Sequence, residues 1–524
     1  MRPAIWHPPV ELTEAEQTID RRLRKGKLFA FLRRERHRLF SDAFQEELGT
    51  IFRDSAFGQP PIPPAQLALA TILQAYTKVS DDEVIEATLM DRRWQLVLDC
   101  LDCSEAPFSK GTLVAFRQRL IAREFDRRLI ERTIAIAEET GGFGSRQLRG
   151  ALDSSPLWGA GRVEDTYNLL GHALRKALGV IARQQGRSLA QVARAAGAPV
   201  LAGKSLKAAL DLNWDDPEER ELGLQCVLDA LTSVESWLEE HSEDGIDAVV
   251  QESLRTAHQV RQQDVEITSE GRASLRQGVA KERRISVEDP DMRHGRKSRH
   301  QRVDGYKRHI LRDLDTHLIR AVGVTPANAP EASVTDGVSL DLAQQQVTLV
   351  ELHIDRAYLS SRLVRERSAN LRVYCRAWPV HNGGRFPKTL FDLDWEHQRI
   401  RCPQGIERPF KPGQVVHFPA VTCATCPKRE QCTQSARGRS VSIHADEKLI
   451  WELRQQQNTA SGRARLRERV DAEHGLSHVG HWQGPTARYL GTRKNLFDLR
   501  RCAVVNNLFV ISHLPALAAG TLTT

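Results

Sequence analysis

Hydrophobic and polar positions change rhythm several times along the chain. Leu67, Leu69, Ile72, Leu73 and Tyr76 recur at roughly helical spacing after a loop punctuated by Pro60, Pro61, Pro63 and Pro64. Ser80 with Glu83 reads as a capping box, which predicts a helix over 81–89, and the segment from Leu113 to Leu120 begins another. At Gln147 the period shortens to two. Leu148, Gly150 and Leu152 alternate with Gln147, Arg149 and Ala151 up to Asp153, the pattern of a short strand. From Tyr167 to about Gln277 the spacing is helical again, with helices expected over 169–182, 188–196 and 222–238. Strand-like texture resumes at 305–311, 317–324, 347–354 and 371–375, and helical spacing returns at 447–476 and 495–511.

A strand separated from its sheet partners by more than a hundred helical residues predicts an insertion within one α/β domain. Residues 377–445 form a second insertion, irregular and rich in proline and cysteine. No internal repeat or low-complexity tract interrupts the chain. At 524 residues it is long enough for two to four domains of roughly 150 residues each. Apolar runs such as Leu508 to Ile511 end far short of the roughly 20 residues that cross a bilayer, and no apolar signal segment follows Met1. The expectation is a soluble cytoplasmic protein with no membrane partner.

Charge sharpens this picture locally. The whole chain carries +8, yet residues 21–38 alone hold nine positive side chains and one negative, so the remainder balances to zero. A second concentration, Met292 to Arg312, sets eight positive charges against Asp304. Clustered Arg and Lys release counterions on meeting phosphates, which favours a polyanionic partner, although a solvated helix face has the same composition. The DNA-contact candidates are Arg21, Arg22, Arg24 and Lys25 in the first run and Arg299, Arg302, Lys307 and Arg308 in the second.

Three acids stand where metal chemistry would place them. Asp153 ends the first strand in ALDSSP, Asp355 follows the later strand in VELHIDRAYL, and Glu473 lies on a helix in RERVDAEHGLSH, with Glu468 as its local rival. Carboxylates at strand ends are held rigidly and suit shared coordination of divalent ions. Of nine cysteines, four crowd into a stretch spaced Cys402, twenty residues, Cys423, two residues, Cys426, five residues, Cys432, a plausible zinc set. Cys100 and Cys103 share the CxxC spacing without a second pair and read as structural thiols.

Several blocks resemble, in order, the bacterial insertion-sequence transposases of the DDE type, in the IS4 and IS5-like superfamily and most like the IS1182 group. PPIPPAQLALATILQAYTKVSDDEVIEATLMDRRWQLVL and FSKGTLVAFRQRL resemble their N-terminal helical region. ALDSSPLWG, DGYKRHILRDLDTHLIRAVGVTPAN, ELHIDRAYLS and RERVDAEHGLSHV resemble the first-aspartate, paired-strand, second-aspartate and glutamate blocks, and ARYLGTRKNLFDLRRCAVVNNL the closing helix. CPQG and CPKREQC resemble the cysteine-bearing insertion of the IS1182 group. The family's Tyr and Lys around the glutamate are absent, Leu466 and Gly480 standing there, whereas Arg469 and Glu473 fit.

The resemblance implies an α/β protein with an RNase H-like catalytic domain carrying a large helical insertion and a Cys-rich insertion, preceded by an all-α N-terminal domain. Its expected parts are a helical DNA-binding domain over 1–140, a catalytic core over 145–165 and 280–376, a helical insertion over 166–279, a zinc-binding insertion over 377–445, and the closing part of the core over 446–524. Asp153, Asp355 and Glu473 would be the catalytic triad holding two Mg²⁺ or Mn²⁺ ions, Arg469 a DNA or structural contact, and Cys402, Cys423, Cys426 and Cys432 the ligands of a structural Zn²⁺. The implied activity is cleavage at the element's ends and joining of the 3′ ends to target DNA. Double-stranded DNA, as terminal inverted repeats and target, is the implied partner, with a homodimer in the DNA complex and association with the bacterial nucleoid. A metal-dependent nuclease of the same fold and a non-catalytic DNA-binding protein derived from a transposase are the alternatives.

Overall fold

A computed structural model describes residues 2–24, 26–54, 57, 59–139, 147–203, 205–241, 245–269, 271–278, 280–296 and 300–513. Its centre is a six-stranded mixed sheet. The strands are β1 (Gln147–Trp158), β2 (Arg293–Arg296), β3 (Arg302–Asp313), β4 (Ile319–Pro326), β5 (Thr348–His353) and β6 (Arg372–Tyr374), and the helices packed about them are α1 (Pro64–Thr77), α2 (Asp81–Met90), α3 (Thr335–Gln344), α4 (Glu447–Asn458), α5 (Ala460–Glu468), α6 (Val470–Gln483) and α7 (Thr492–Ser512). β3 lies antiparallel to β1 on one edge and carries β4 and β2 end to end on the other. On its far side β1 runs parallel to β5, and β5 parallel to β6.

β1 is longer than its alternating pattern predicts, because it continues through Pro156 to Trp158. Pairing with β5 stops at Ala151, so the second half of β1 has an open edge where a residue without an N–H is tolerated. Trp158 then meets the chain at Pro485, donating its N–H to that carbonyl at 2.9 Å.

Adjacent residues of β3 point to opposite faces. Ile310, with Val322 of β4, packs under α6 (Val470–Gln483) and α7 (Thr492–Ser512), against Leu476, Val479 and Phe497. Leu311, with Ala321 and Leu352, packs against Val338, Ile450 and Leu453 from the helices Thr335–Gln344 and Glu447–Asn458. The helical spacing over 447–476 is not one helix. Glu447–Asn458 gives way at Thr459 to a helix over Ala460–Glu468, whose first turn Thr459 caps by accepting the Gly462 N–H at 2.9 Å. A Cβ at Gly462 would lie 1.8 Å from the Gln456 carbonyl oxygen, so the sharp turn there requires glycine.

The N-terminal helices do not stand apart. Pro64–Thr77 is buried on nearly every side, as a helix apolar all round must be. The next helix, Asp81–Met90, carries the expected reciprocal cap between Ser80 and Glu83. Their core is continuous with the sheet and with α7, joining Leu32, Leu69, Trp94 and Phe116 to Ile310, Leu318 and Leu508. Asn507 of α7 closes the β4 edge, its amide accepting the Ile319 N–H at 2.8 Å and donating to the Ile319 carbonyl at 3.0 Å.

Helices Thr166–Gln184, Leu189–Ala195, Pro217–His241 and Ala248–Asp264 enclose a separate core around Leu170, Leu174, Val227, Leu231 and Val260. The helical texture expected to Gln277 ends at Asp264, where a small hairpin begins, Val265–Ile267 with Ala273–Leu275. Residues 377–445 contain two small antiparallel sheets about a core of Phe391, Ile400, Phe410, Val416 and Val441. Among the described residues, no helix is long and apolar enough to cross a membrane.

Candidate active site

Sheet register sets up the site. Ala151 of β1 stands opposite His353 of the parallel strand β5, and two residues beyond each partner come Asp153 and Asp355. Asp153 is buried within β1 and accepts the Ser154 N–H at 2.8 Å. Asp355 lies past the end of β5 and caps the short helix Arg356–Tyr358 by accepting the Arg356 N–H. Glu473 sits in the first turn of α6. That helix crosses close to the sheet at Gly475, where a Cβ would lie 2.8 Å from Ile310 Cδ1 and 2.9 Å from Arg312 Cδ. The three carboxylates line one cavity of about 740 Å³, together with Ser154, Arg296, Lys307, Arg308 and Arg469.

Arg469 bridges two of the acids, one guanidinium nitrogen bonding Asp153 and the other Glu473 Oε1 at 2.8 Å. Burial pushes the Asp153 carboxyl up to about 6. Arg469 and the Ser154 N–H pull it down, while Glu473 and Asp355 add to the rise. Three hard oxygen donors of one sign, one of them desolvated, fit divalent ions such as Mg²⁺ or Mn²⁺.

The basic candidates divide. Lys307 lines the cavity and bonds the Ala329 carbonyl at 3.0 Å. Arg308 is buried and committed to protein partners, donating to Ser155 Oγ at 2.8 Å, Gln483 Oε1 at 3.1 Å and the Gly484 carbonyl at 2.9 Å. Arg302 is exposed on β3 opposite Arg296, and Arg296 rather than Arg302 lines the cavity. Arg21 and Arg22 are exposed in the last turn of the helix Glu14–Arg22, and Arg24 is exposed just after it. Lys25 and Arg299 lie outside the described residues. Part of the +8 run is internal scaffolding: Arg33 pairs with Glu16 at 2.6 Å, and Arg36 bonds the Leu96 and Val97 carbonyls and Asp99. Buried arginines held by protein partners contribute to the run's charge without facing a ligand.

Glu468 points elsewhere, pairing with Arg149 and, at 3.1 Å, with Arg465. The sequence pattern gave no notice of Arg296 or Ser154 as cavity residues, nor of Glu351 and His353 beside Glu468. A signal for the last pair was present in strand parity, since 351 and 353 share one side of β5. Trp158 is 39% exposed, whereas Trp482 stacks edge-on against Phe509 and Trp214 against Tyr167. Cys402, Cys423, Cys426 and Cys432 are half-buried and line one cavity of about 210 Å³. Cys100 is buried and Cys103 exposed.

Residues 401–511 match the family described as Transposase DDE domain. The segment that holds Glu473 is similar to a transposase DDE domain. Residues 17–119 match a second family, Transposase domain (DUF772), and the two together are the architecture typical of IS1182-family transposases. The DDE-domain match takes in Arg469, Glu473, α7 and the four clustered cysteines, and the N-terminal match takes in Arg21, Arg22 and Arg24. No curated protein and no solved structure matches the chain.

Proposed function

We propose that this chain is a DDE transposase that binds the ends of its insertion sequence, cleaves the DNA and joins the 3′ ends to target DNA. The observation that carries the reading is the meeting of Asp153, Asp355 and Glu473, from three distant segments, in one cavity edged by Arg296 and Lys307. The sheet supports an RNase H-like core: β4, β3 and β1 run antiparallel in turn, and β1, β5 and β6 run parallel. When bound by Asp153, Asp355 and Glu473, a pair of Mg²⁺ or Mn²⁺ ions supplies activation of the attacking oxygen, from water and then a 3′ hydroxyl, and stabilisation of the leaving oxygen. Arg296, Lys307 and the exposed Arg302 present charge to phosphates, and Arg21, Arg22 and Arg24 bind the duplex backbone without reading sequence. Arg469 bridges Asp153 and Glu473, offsets their charge, and would compete with cations for both carboxylates.

Asp355→Asn and Glu473→Gln proteins should bind end DNA nearly as wild type does while Mg²⁺-dependent cleavage falls by a factor on the order of a thousand or more, as when one member of an interdependent catalytic set is lost. Undiminished cleavage by Glu473→Gln would remove it from the site. Cleavage without joining of 3′ ends in a strand-transfer assay would mark a nuclease. No cleavage by the wild type would mark a DNA-binding derivative.

The thiol cluster is read as a structural zinc site, because its four cysteines line a single cavity and thiolates select zinc over the hard ions of the carboxylate cavity; no three of the sulfurs lie within 4.8 Å of one another, so closing around an ion draws them together. Cys423→Ser and Cys426→Ser should lose zinc on elemental analysis and become protease-sensitive within 377–445.

A further inference from the structure

We propose that Glu351, His353 and Glu468 form a second divalent-cation site, distinct from the cavity at Asp153, Asp355 and Glu473. One ligand atom from each lies within 4.8 Å of the others. His353 Nε2 is 3.6 Å from Glu351 Oε2 and 3.9 Å from Glu468 Oε2. Ligands about 2.1 Å from a common ion stand roughly 3 to 3.5 Å apart, so a small contraction closes the set.

The imidazole supplies the second observation. His353 is fully buried, and its Nδ1 faces the Arg465 carbonyl at 3.1 Å, a contact that requires the hydrogen on Nδ1. Nε2 of the neutral ring then carries a lone pair directed at two carboxylates, and it has no hydrogen-bond partner. Protonation would not repair this, since 3.6 Å is too long for an N–H to a carboxylate oxygen. A cation held by the two carboxylates would satisfy that lone pair. An Nδ1–H held by a backbone carbonyl is also the arrangement that fixes the tautomer of a metal-binding histidine.

Two guanidiniums already share these acids. Arg149 bonds Glu351 Oε2 at 2.9 Å, Glu468, and Asp315 at 2.7 Å, while Arg465 bonds Glu468 at 3.1 Å. Three carboxylates against two arginines leave a net negative charge; because Arg149 bonds the same Glu351 Oε2 and Glu468 Oε2 atoms that face Nε2, the ion takes these oxygens by shifting Arg149 toward their Oε1 atoms and Asp315. One imidazole with two carboxylates suits Mn²⁺, Fe²⁺ or Zn²⁺ better than Mg²⁺. Occupancy would tie β5, which leads into Asp355, to the helix that precedes Arg469 and Glu473, making this a positioning site rather than a reacting one.

The test needs no DNA and is independent of the cleavage reading. Full-length protein carrying Asp153→Asn, Asp355→Asn and Glu473→Gln is titrated with Mn²⁺ and followed by electron paramagnetic resonance, because Mn²⁺ avoids thiolates. Saturable binding with electron spin-echo coupling to a histidine nitrogen is expected. Glu468→Gln in that background should weaken it by about tenfold or more, and His353→Gln should abolish the nitrogen coupling. Glu468 is partly exposed, so its substitution reads out the site even where His353→Gln fails to fold. No Mn²⁺ binding, absence of nitrogen coupling, or affinity unchanged by Glu468→Gln would each overturn the site.

Discussion

His309 shows how burial decides what a titratable side chain contributes. Its ring lies inside the sheet, Nδ1 bonded to the Tyr358 hydroxyl at 2.8 Å and Nε2 to Thr325 Oγ1 at 3.0 Å. Burial, with the Lys307 charge added, pulls its pKa down to about 3. The unfolded chain therefore takes up a proton near its ordinary value of 6.5 while the folded chain does not. Stability from this group is complete above about 6.5 and is lost progressively as pH falls toward 3, at up to about 1.4 kcal/mol per pH unit. His309→Gln should flatten the pH dependence of urea-unfolding free energy between pH 6.5 and 4, whatever its offset at neutral pH. An unchanged slope would assign acid sensitivity to other groups. Arg308, buried against its three protein partners, illustrates the same point for a permanent charge: sequence places it in a basic run, and tertiary contacts make it a brace between β1 and the end of α6.

At the scale of elements, the approach of α6 to the sheet governs where Glu473 stands. Gly475 is the contact point, with Ile310 and Arg312 already within 3 Å of where a Cβ would go. Gly475→Val should push the helix outward, costing about 1 to 3 kcal/mol by overpacking. Cleavage should fall by more than the loss of folded protein accounts for, because the glutamate moves relative to β1 and β5. Measuring unfolding and cleavage on the same preparation separates the two; cleavage that tracks stability alone would show that Glu473 tolerates the shift. The break at Arg469, where one helix ends at Glu468 and α6 begins at Val470, also explains why two glutamates five residues apart serve different neighbourhoods.

At the scale of the whole molecule, the cores do not follow sequence order. The N-terminal helices share theirs with β3, β4 and α7, whereas the helices over 166–264 keep one of their own. A fragment of residues 1–140 should therefore expose the faces that α7 covers and fail to give a cooperative thermal transition. A fragment spanning 160–290 should give one. Circular dichroism melts of both check this, and a sharply melting 1–140 fragment would mean that its helices pack well enough without α7.

Much of the element order was legible in the sequence, because local periodicity and caps act over a few residues: the Ser80 and Glu83 box, the helix after Pro64 and the strands around Ile310 and Leu352 needed no distant partner to be recognised. The candidate acids were legible as well, since strand-end position and block order marked Asp153 and Asp355, and Arg469 at helical spacing pointed to Glu473. Tertiary structure alone decided that β1 runs on through Pro156, that Arg33, Arg36 and Arg308 turn inward, that Glu468 joins Glu351 and His353 instead of the cavity, and that the first helices depend on the last. Each of these turns on a neighbour far away in sequence, and burial, partner geometry and the loss of an adjacent strand are properties of that neighbour, which no local pattern encodes.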